Sequence, residues 1–114
     1  MARNDLQGSL DLLVLKSLSQ MGELHGYGVV VHIQSASDEL LSVEEGSLYP
    51  ALHRMEMSGW IRSEWKLTES NQRAKYYRIT ATGKKQLASD HGRWQKMVVA
   101  IGAIMSGELE RGEP

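Results

Sequence analysis

The fold of this chain is decided by the stretch Gly46-Ser47-Leu48-Tyr49-Pro50-Ala51-Leu52-His53-Arg54-Met55-Glu56, which is followed by Gly59-Trp60-Ile61. Leu48, Leu52 and Met55 recur at helical spacing and form an apolar stripe. The other side chains lie mostly off that stripe and are free to meet a partner: Ser47, Tyr49, Pro50, His53 and Arg54. The stretch therefore predicts a helix that is packed on its apolar side and accessible on its polar side.

The polar side of this helix suits the major groove of DNA, because hydroxyl, imidazole and guanidinium groups hydrogen-bond to base edges and phosphates. Two predicted strands follow, from Trp60 to Leu67 and from Ala74 to Thr80, joined by the polar turn Glu69 to Arg73. This is the order of the recognition helix and the wing in a winged helix-turn-helix domain. We therefore predict a mainly α fold with a small β-hairpin wing. Alternation within the strands predicts the inward side chains Ile61, Trp65, Leu67, Tyr77 and Ile79.

Two further helices are predicted ahead of the recognition helix. The segment from Ser9 to Gln20 is apolar on more than one face, which indicates a second contact surface besides the core. The segment from His25 to Ile33 is rich in β-branched residues, and its helical prediction rests partly on the resemblance given below. The recognition helix should begin near Ser47, because Pro50 is tolerated only around the first turn.

A last long helix is predicted from a cap at Thr80 to about Ser106. Along it, large side chains alternate steps of four and three, which is the heptad spacing of a helix that packs along a partner helix. This heptad face consists of Leu87, His91, Trp94, Val98, Ile101 and Met105, and Met97 and Ile104 widen it. A helix this apolar in so small a domain predicts homodimerisation. The alternative is that the helix folds back on its own core.

Length and composition narrow the class of protein. The 114 residues predict a winged helix-turn-helix domain over residues 1–80, a dimerisation helix over residues 81–106 and a frayed tail over residues 107–114. The net charge of -1 speaks against a nucleic-acid partner, but from Glu69 to Lys85 five basic residues stand against one acid. Cysteine is absent, and we see no signal peptide or membrane span. We expect a cytoplasmic protein without a metal or cofactor.

Four local patterns resemble those of the PadR family of transcriptional regulators. They are Gly8 to Leu18 with its leucines, His25-Gly26-Tyr27, the stretch Gly46 to Glu56, and Arg73-Ala74-Lys75-Tyr76-Tyr77-Arg78-Ile79-Thr80 with Gly83. The third pattern is highly specific and the fourth nearly so. The resemblance implies a dimeric winged-helix repressor, with the third helix in the major groove and the wing on the DNA backbone or in the minor groove. The chain is most similar to the short subgroup, in which one C-terminal helix makes the dimer.

The resemblance and the side-chain chemistry together suggest residue roles. We expect recognition-helix contacts from Ser47, Tyr49, Pro50, His53 and Arg54, and wing contacts from Asn71, Gln72, Arg73 and Lys75. Arg54 is the best single candidate for a guanine edge or a phosphate, and Tyr49 for a phosphate. Loss of Arg73 and Lys75 should weaken binding to all DNA sequences alike.

The predicted dimer interface is also a candidate effector site. Trp94 would approach its symmetry mate, and a flat aromatic ligand would stack between the two indoles. The cavity around it would be lined by Leu12, Leu15, Met97 and Val98. The alternative is a filled hydrophobic interface without a ligand. His91 lies on the same face, where its titration near neutral pH would weaken assembly.

Two other classes of function have to be weighed against DNA binding. Winged-helix domains also serve as protein-interaction modules, and the short wing and acidic balance would suit that role. Salt-dependent, sequence-selective binding to duplex DNA would exclude it. An enzyme is less favoured, because the sequence has no nucleophile motif, no phosphate-binding glycine loop and no paired carboxylates.

Overall fold

The computed structural model describes residues 2–107, and the side chains from Ser9 onward. Within this range the chain forms α1 (Ala2–Met21), β1 (Leu24–His25), α2 (Gly26–Ala36), α3 (Glu45–Met57), β2 (Ile61–Leu67), β3 (Arg73–Ile79) and α4 (Ala81–Ser106). The predicted winged-helix architecture is confirmed, including the helical prediction for α2. Residues 108–114 of the predicted frayed tail lie outside the described residues.

The sheet is antiparallel and has the strand order β1-β3-β2. The hairpin of β2 and β3 pairs Ile61 with Ile79 at its base and Leu67 with Arg73 near its tip. β1 adds two residues on the other edge of β3, with Leu24 opposite Tyr77. This short strand was not predicted, since two residues are too few to give a periodic signal.

The core lies where α1, α2 and α3 meet the base of the hairpin. Leu48, Leu52 and Met55 are completely buried, so the predicted apolar stripe of α3 is confirmed. The other buried apolar residues are Val14, Leu15, Leu18, Val29, Ile33, Ala51, Ile61 and Tyr77. Because Leu15 is enclosed by this core, the prediction that it lines a cavity at the subunit interface is wrong.

Two details of the predicted elements need correction. Helix α3 begins at Glu45, two residues before Ser47, because the Glu44 carbonyl already accepts from the amides of Ser47 and Leu48. Pro50 is thus the sixth residue of the helix, two positions further from the start than expected. The prediction that Trp65 and Leu67 face the core is also wrong: they lie on the predicted face of β2, but they are exposed because the hairpin extends beyond the core.

Helix α4 begins and ends where the sequence predicted. The Thr80 hydroxyl accepts from the Gly83 amide at 3.0 Å, which caps the helix, and donates to the Gly59 carbonyl at 2.6 Å. Leu87 packs against the core, whereas the apolar residues from Trp94 onward are exposed. None of the helices within residues 2–107 is long and apolar enough to cross a membrane.

Candidate nucleic-acid interface

The outer face of α3 presents four of the five predicted recognition-helix residues to solvent. They are Ser47, Tyr49, Pro50 and His53, all of which are exposed. The buried side of the same helix is fixed by the core, so these side chains have a defined orientation relative to the rest of the domain. The face therefore has the rigidity and the donor and acceptor groups that a groove-reading helix requires.

The ring of Tyr49 lies directly against Gly26 of α2. A Cβ atom at Gly26 would lie 2.6 Å from both Cε1 and Oη of Tyr49, so only glycine lets the ring lie there. Partial burial, and then the nearby Glu45 carboxylate, raise the pKa of Tyr49 above its ordinary value. Its hydroxyl therefore stays protonated at neutral pH and can donate a hydrogen bond to a phosphate.

His25 fixes the start of α2, where Gly26 lies. Its Nδ1 accepts a hydrogen bond from the Gly28 amide at 3.1 Å, which caps the helix. The imidazole also packs edge-on against Tyr76 of β3, with ring centroids 5.2 Å apart. The sequence pattern His25-Gly26-Tyr27 thus has a structural explanation: the histidine caps α2 and the glycine makes room for Tyr49.

Arg54 is the fifth predicted recognition-helix residue, and its position differs from the prediction. Its Nη1 and Nη2 donate to Oδ2 and Oδ1 of Asp11 at 2.8 and 2.9 Å. This hydrogen bonding raises the pKa of Arg54, so its guanidinium stays charged at neutral pH. Arg54 is therefore not an unpaired cation as expected, because it braces α3 against α1; its side chain is still 38% exposed, and its contact with DNA stays a prediction. No local pattern could have predicted this contact with Asp11, because Asp11 is 43 residues away.

The wing places its predicted DNA-contacting residues near the tip of the hairpin. Asn71 and Gln72 are exposed in the turn, and Asn71 has a positive φ of 69°. Asparagine tolerates this left-handed conformation better than most residues, which explains how the turn closes without glycine. Arg73 and Lys75 follow on β3, and both point to the same face of the hairpin because they are two residues apart.

A cleft of about 680 Å³ separates the outer face of α3 from this face of the wing. We call it the wing cleft. Its lining includes His25, Gly26, Tyr27, Tyr49, Trp65, Gln72, Arg73 and Lys75. The structure thus brings Tyr49 of the recognition helix and two cations of the wing to one concave surface. Such a surface fits a polyanion with aromatic and phosphate groups.

On the opposite face of the wing, two of the three cations lie close to a carboxylate, and the third, Arg62, is exposed without an ion pair among the described side chains. Glu23 lies 2.9 Å from Nζ of Lys66 and 3.6 Å from Nη2 of Arg78. The hydrogen bond from Lys66 is the main reason why the pKa of Glu23 is lowered, although burial opposes it. On the cleft side, Lys75 lies 3.9 Å from Glu56, and Arg73 forms no ion pair with any carboxylate among the described side chains. On the cleft side of the hairpin, Arg73 therefore has a positive charge that no described carboxylate cancels.

Comparison with known proteins identifies the family to which this chain is related. Residues 14–89 match the family described as transcriptional regulator PadR-like, and this range is more than half of the chain. The chain belongs to the PadR-like family of transcriptional regulators. The matched range contains α3 and the whole hairpin, so both walls of the wing cleft in this PadR-like regulator lie within it.

Solved structures of transcriptional regulators are similar over most of the chain. One from Clostridium thermocellum is 30% identical with a TM-score of 0.77, over 90% of this chain and 95% of that one. A PadR-like regulator from Bacillus cereus is 28% identical with a TM-score of 0.71, over 94% and 97% of the two chains. Bacillus subtilis PadR, solved with operator DNA, is 25% identical with a TM-score of 0.63, over 71% of this chain and 45% of that one. These proteins are regulators, and the family is not one of enzymes.

The heptad face of this PadR-like regulator divides into two parts. Leu87 packs against the core of its own chain, which is the alternative that the sequence left open for the helix as a whole. Beyond it, the exposed part begins at His91 and continues with Trp94, which is 45% exposed; the centroids of the two rings are 6.2 Å apart. It continues through Met97, Val98, Ile101, Ile104 and Met105. Leu12, on α1, is half-buried.

Proposed function

We propose that this PadR-like regulator is a homodimeric repressor that binds a two-fold symmetric DNA operator through the wing cleft. One observation carries the proposal: the cleft brings Tyr49 of α3 together with Arg73 and Lys75 of the wing. The α3 residues Ser47, Tyr49, Pro50 and His53 would enter the major groove. The wing residues Asn71, Gln72, Arg73 and Lys75 would hold the backbone or the minor groove. The solved complex of Bacillus subtilis PadR with operator DNA supports this reading.

The same proposal assigns the exposed part of the heptad face to a second copy of the chain. In water, the exposed side chains from Trp94 to Met105 form an apolar surface that a monomer would leave unpaired. Residues 1–80 would then serve as the DNA-binding unit and residues 81–106 as the dimerisation helix. Sedimentation of the full chain and of Val98→Glu tests this assignment: the variant should sediment as a monomer with an unchanged helical circular dichroism spectrum.

A flat aromatic effector is the third element of the proposal. Trp94 is half-exposed, so two copies that pair along α4 would bring two indoles near each other. A ligand stacked between them would change the spacing of the two recognition helices and release the operator. Titration with a planar aromatic dye should quench indole fluorescence in the natural chain and much less in Trp94→Ala. Equal quenching in both proteins would show that the dye binds elsewhere and would contradict an effector site at Trp94.

The experiment that tests the central claim is the selection of bound sequences from a random pool of duplex DNA at moderate salt. Enrichment of a site with two half-sites about one helical turn apart is the expected result. A stable dimer that enriches no sequence would contradict the proposal. It would favour a winged-helix domain that binds another protein.

A further inference from the structure

Trp65 is an exposed indole that packing does not require. It lies on the same face of β2 as Ile61 and Ser63, but Ile61 is buried whereas Trp65 is 56% exposed. The side chain lines the wing cleft instead of the core. A large aromatic surface kept in water at a candidate binding site calls for a functional explanation.

The two cations on the cleft side of the wing lie over the indole ring of Trp65. The guanidinium carbon of Arg73 lies 4.9 Å from the ring centroid, and Nζ of Lys75 lies 6.0 Å from it. The hairpin register explains both contacts, since Lys75 is directly opposite Trp65 and Arg73 is on the adjacent diagonal. Both distances are within the range in which the electron-rich face of an indole attracts a cation.

The other face of the hairpin holds a cation in a different way. Lys66 lies over the ring of Tyr76 at 5.2 Å, but both carboxylate oxygens of Glu23 are 2.9 Å from its Nζ. A carboxylate fixes a cation and also cancels its charge. Arg73 is held by a neutral ring and forms no ion pair with a described carboxylate, so its charge stays available for a phosphate.

We propose that Trp65 is a positioning residue for DNA binding, whose indole orders the Arg73 guanidinium in the wing cleft without neutralising it. This inference rests on the proposed function. An arginine that is free in solution loses rotamer freedom when it binds a phosphate. Because stacking on Trp65 already restricts the Arg73 side chain in the free protein, the contact between Arg73 and a phosphate forms with a smaller entropic penalty.

A double-mutant cycle with Arg73 tests this role. Trp65→Leu keeps apolar bulk but removes the ring, and should raise the dissociation constant for duplex DNA by about two- to fivefold. In an Arg73→Ala background the same substitution should change the constant much less, because the nearer cation is gone and only Lys75, at 6.0 Å from the ring centroid, remains. Trp65→Phe, which keeps a ring, should retain most of the affinity. Arg73→Ala lowers the salt slope by about 1, whereas Trp65→Leu should leave it unchanged because no charge is lost.

Leu67→Ala is the matched control, since Leu67 is exposed on the same face of β2 and is directly opposite Arg73 but has no aromatic ring. It should bind DNA like the natural chain, and all variants should have similar melting temperatures. An equal loss from Trp65→Leu in both backgrounds would overturn the positioning role and leave the proposed function intact. A natural chain that binds no duplex DNA would overturn the proposed function and this role together. The two failures are distinguishable, because only the second affects the natural chain.

Discussion

Arg54 of the recognition helix and Asp11 of α1 form a two-pronged ion pair that joins the two helices, with N–O distances of 2.8 and 2.9 Å. Asp11 is buried, whereas the Arg54 side chain is partly exposed. Because the guanidinium is planar, the two hydrogen bonds fix both the distance and the angle between the side chains of Arg54 and Asp11. This contact therefore braces α3 against α1, in addition to the packing of the buried side of α3 in the core.

We predict that Arg54→Ala lowers the free energy of unfolding and reduces the affinity for DNA only slightly. The substitution leaves the buried Asp11 carboxylate without its partner, which should lower the free energy of unfolding by about 2 kcal/mol. Urea unfolding measures this change, and binding assays well below the melting temperature should show a smaller loss of affinity than Arg73→Ala gives.

The control for this prediction is Arg62→Ala, because Arg62 is exposed on β2. That variant should change the free energy of unfolding by less than about 0.5 kcal/mol. If Arg54→Ala kept full stability but abolished DNA binding, Arg54 would have to leave Asp11 and contact DNA in the complex.

Gly26→Ala should weaken DNA binding through Tyr49. The added Cβ would lie 2.6 Å from Cε1 and Oη of the tyrosine, so the ring must move. Since the displaced atoms are the far end of a half-exposed side chain, we expect a small change in melting temperature. The dissociation constant for operator DNA should rise to about the value of Tyr49→Ala, and the double variant should bind no worse than Tyr49→Ala alone.

Gly28→Ala is the matched glycine control for this experiment. Its Cβ would approach Leu24 Cδ2 at 3.3 Å and would not meet Tyr49. A Gly28→Ala variant that lost as much DNA affinity as Gly26→Ala would mean that the start of α2, and not the tyrosine ring, is responsible.

Features that depend on neighbouring residues in the chain could be predicted from the sequence. The apolar stripe of α3 follows from its spacing, and α4 follows from the cap at Thr80 and the long helical pattern after it. The buried Tyr77 follows from alternation in β3. These signals are local, so no knowledge of the packing is needed to read them.

Features that depend on distant parts of the chain could not be predicted in this way. Alternation assigns Trp65 to the correct face of β2, but it does not tell where the core ends along that face. The helical pattern of α1 does not distinguish the completely buried Leu15 from the half-buried Leu12. The pairing of Arg54 with Asp11 requires the packing of α3 on α1, which no local pattern contains.

Gly83→Ala should destabilise the junction between the hairpin and α4. A Cβ atom at this position would lie 2.0 Å from the Trp60 carbonyl oxygen, which belongs to the backbone and accepts from the Thr80 amide at 2.9 Å. Relief requires the start of α4 to move, so the free energy of unfolding should fall by about 2 kcal/mol or more. Gly92→Ala, which meets no atom within 4 Å, should instead raise it by about 0.5–1 kcal/mol. Equal melting temperatures for the two variants would contradict this account.

The ion pair of Glu23 with Lys66 should make the stability of the fold depend on pH in the acidic range. Because the hydrogen bond from Lys66 lowers the pKa of Glu23 below its usual 4.5, the ionised form favours the folded state. That contribution is present above the ordinary pKa and is lost as the pH falls through the lowered one. Urea unfolding at pH 7 and pH 3 should therefore show a smaller drop in stability for Glu23→Gln than for the natural chain. Lys66→Met should reduce the drop as well, since it removes the main cause of the shift, and an undiminished drop in both variants would assign the acid sensitivity to other carboxylates.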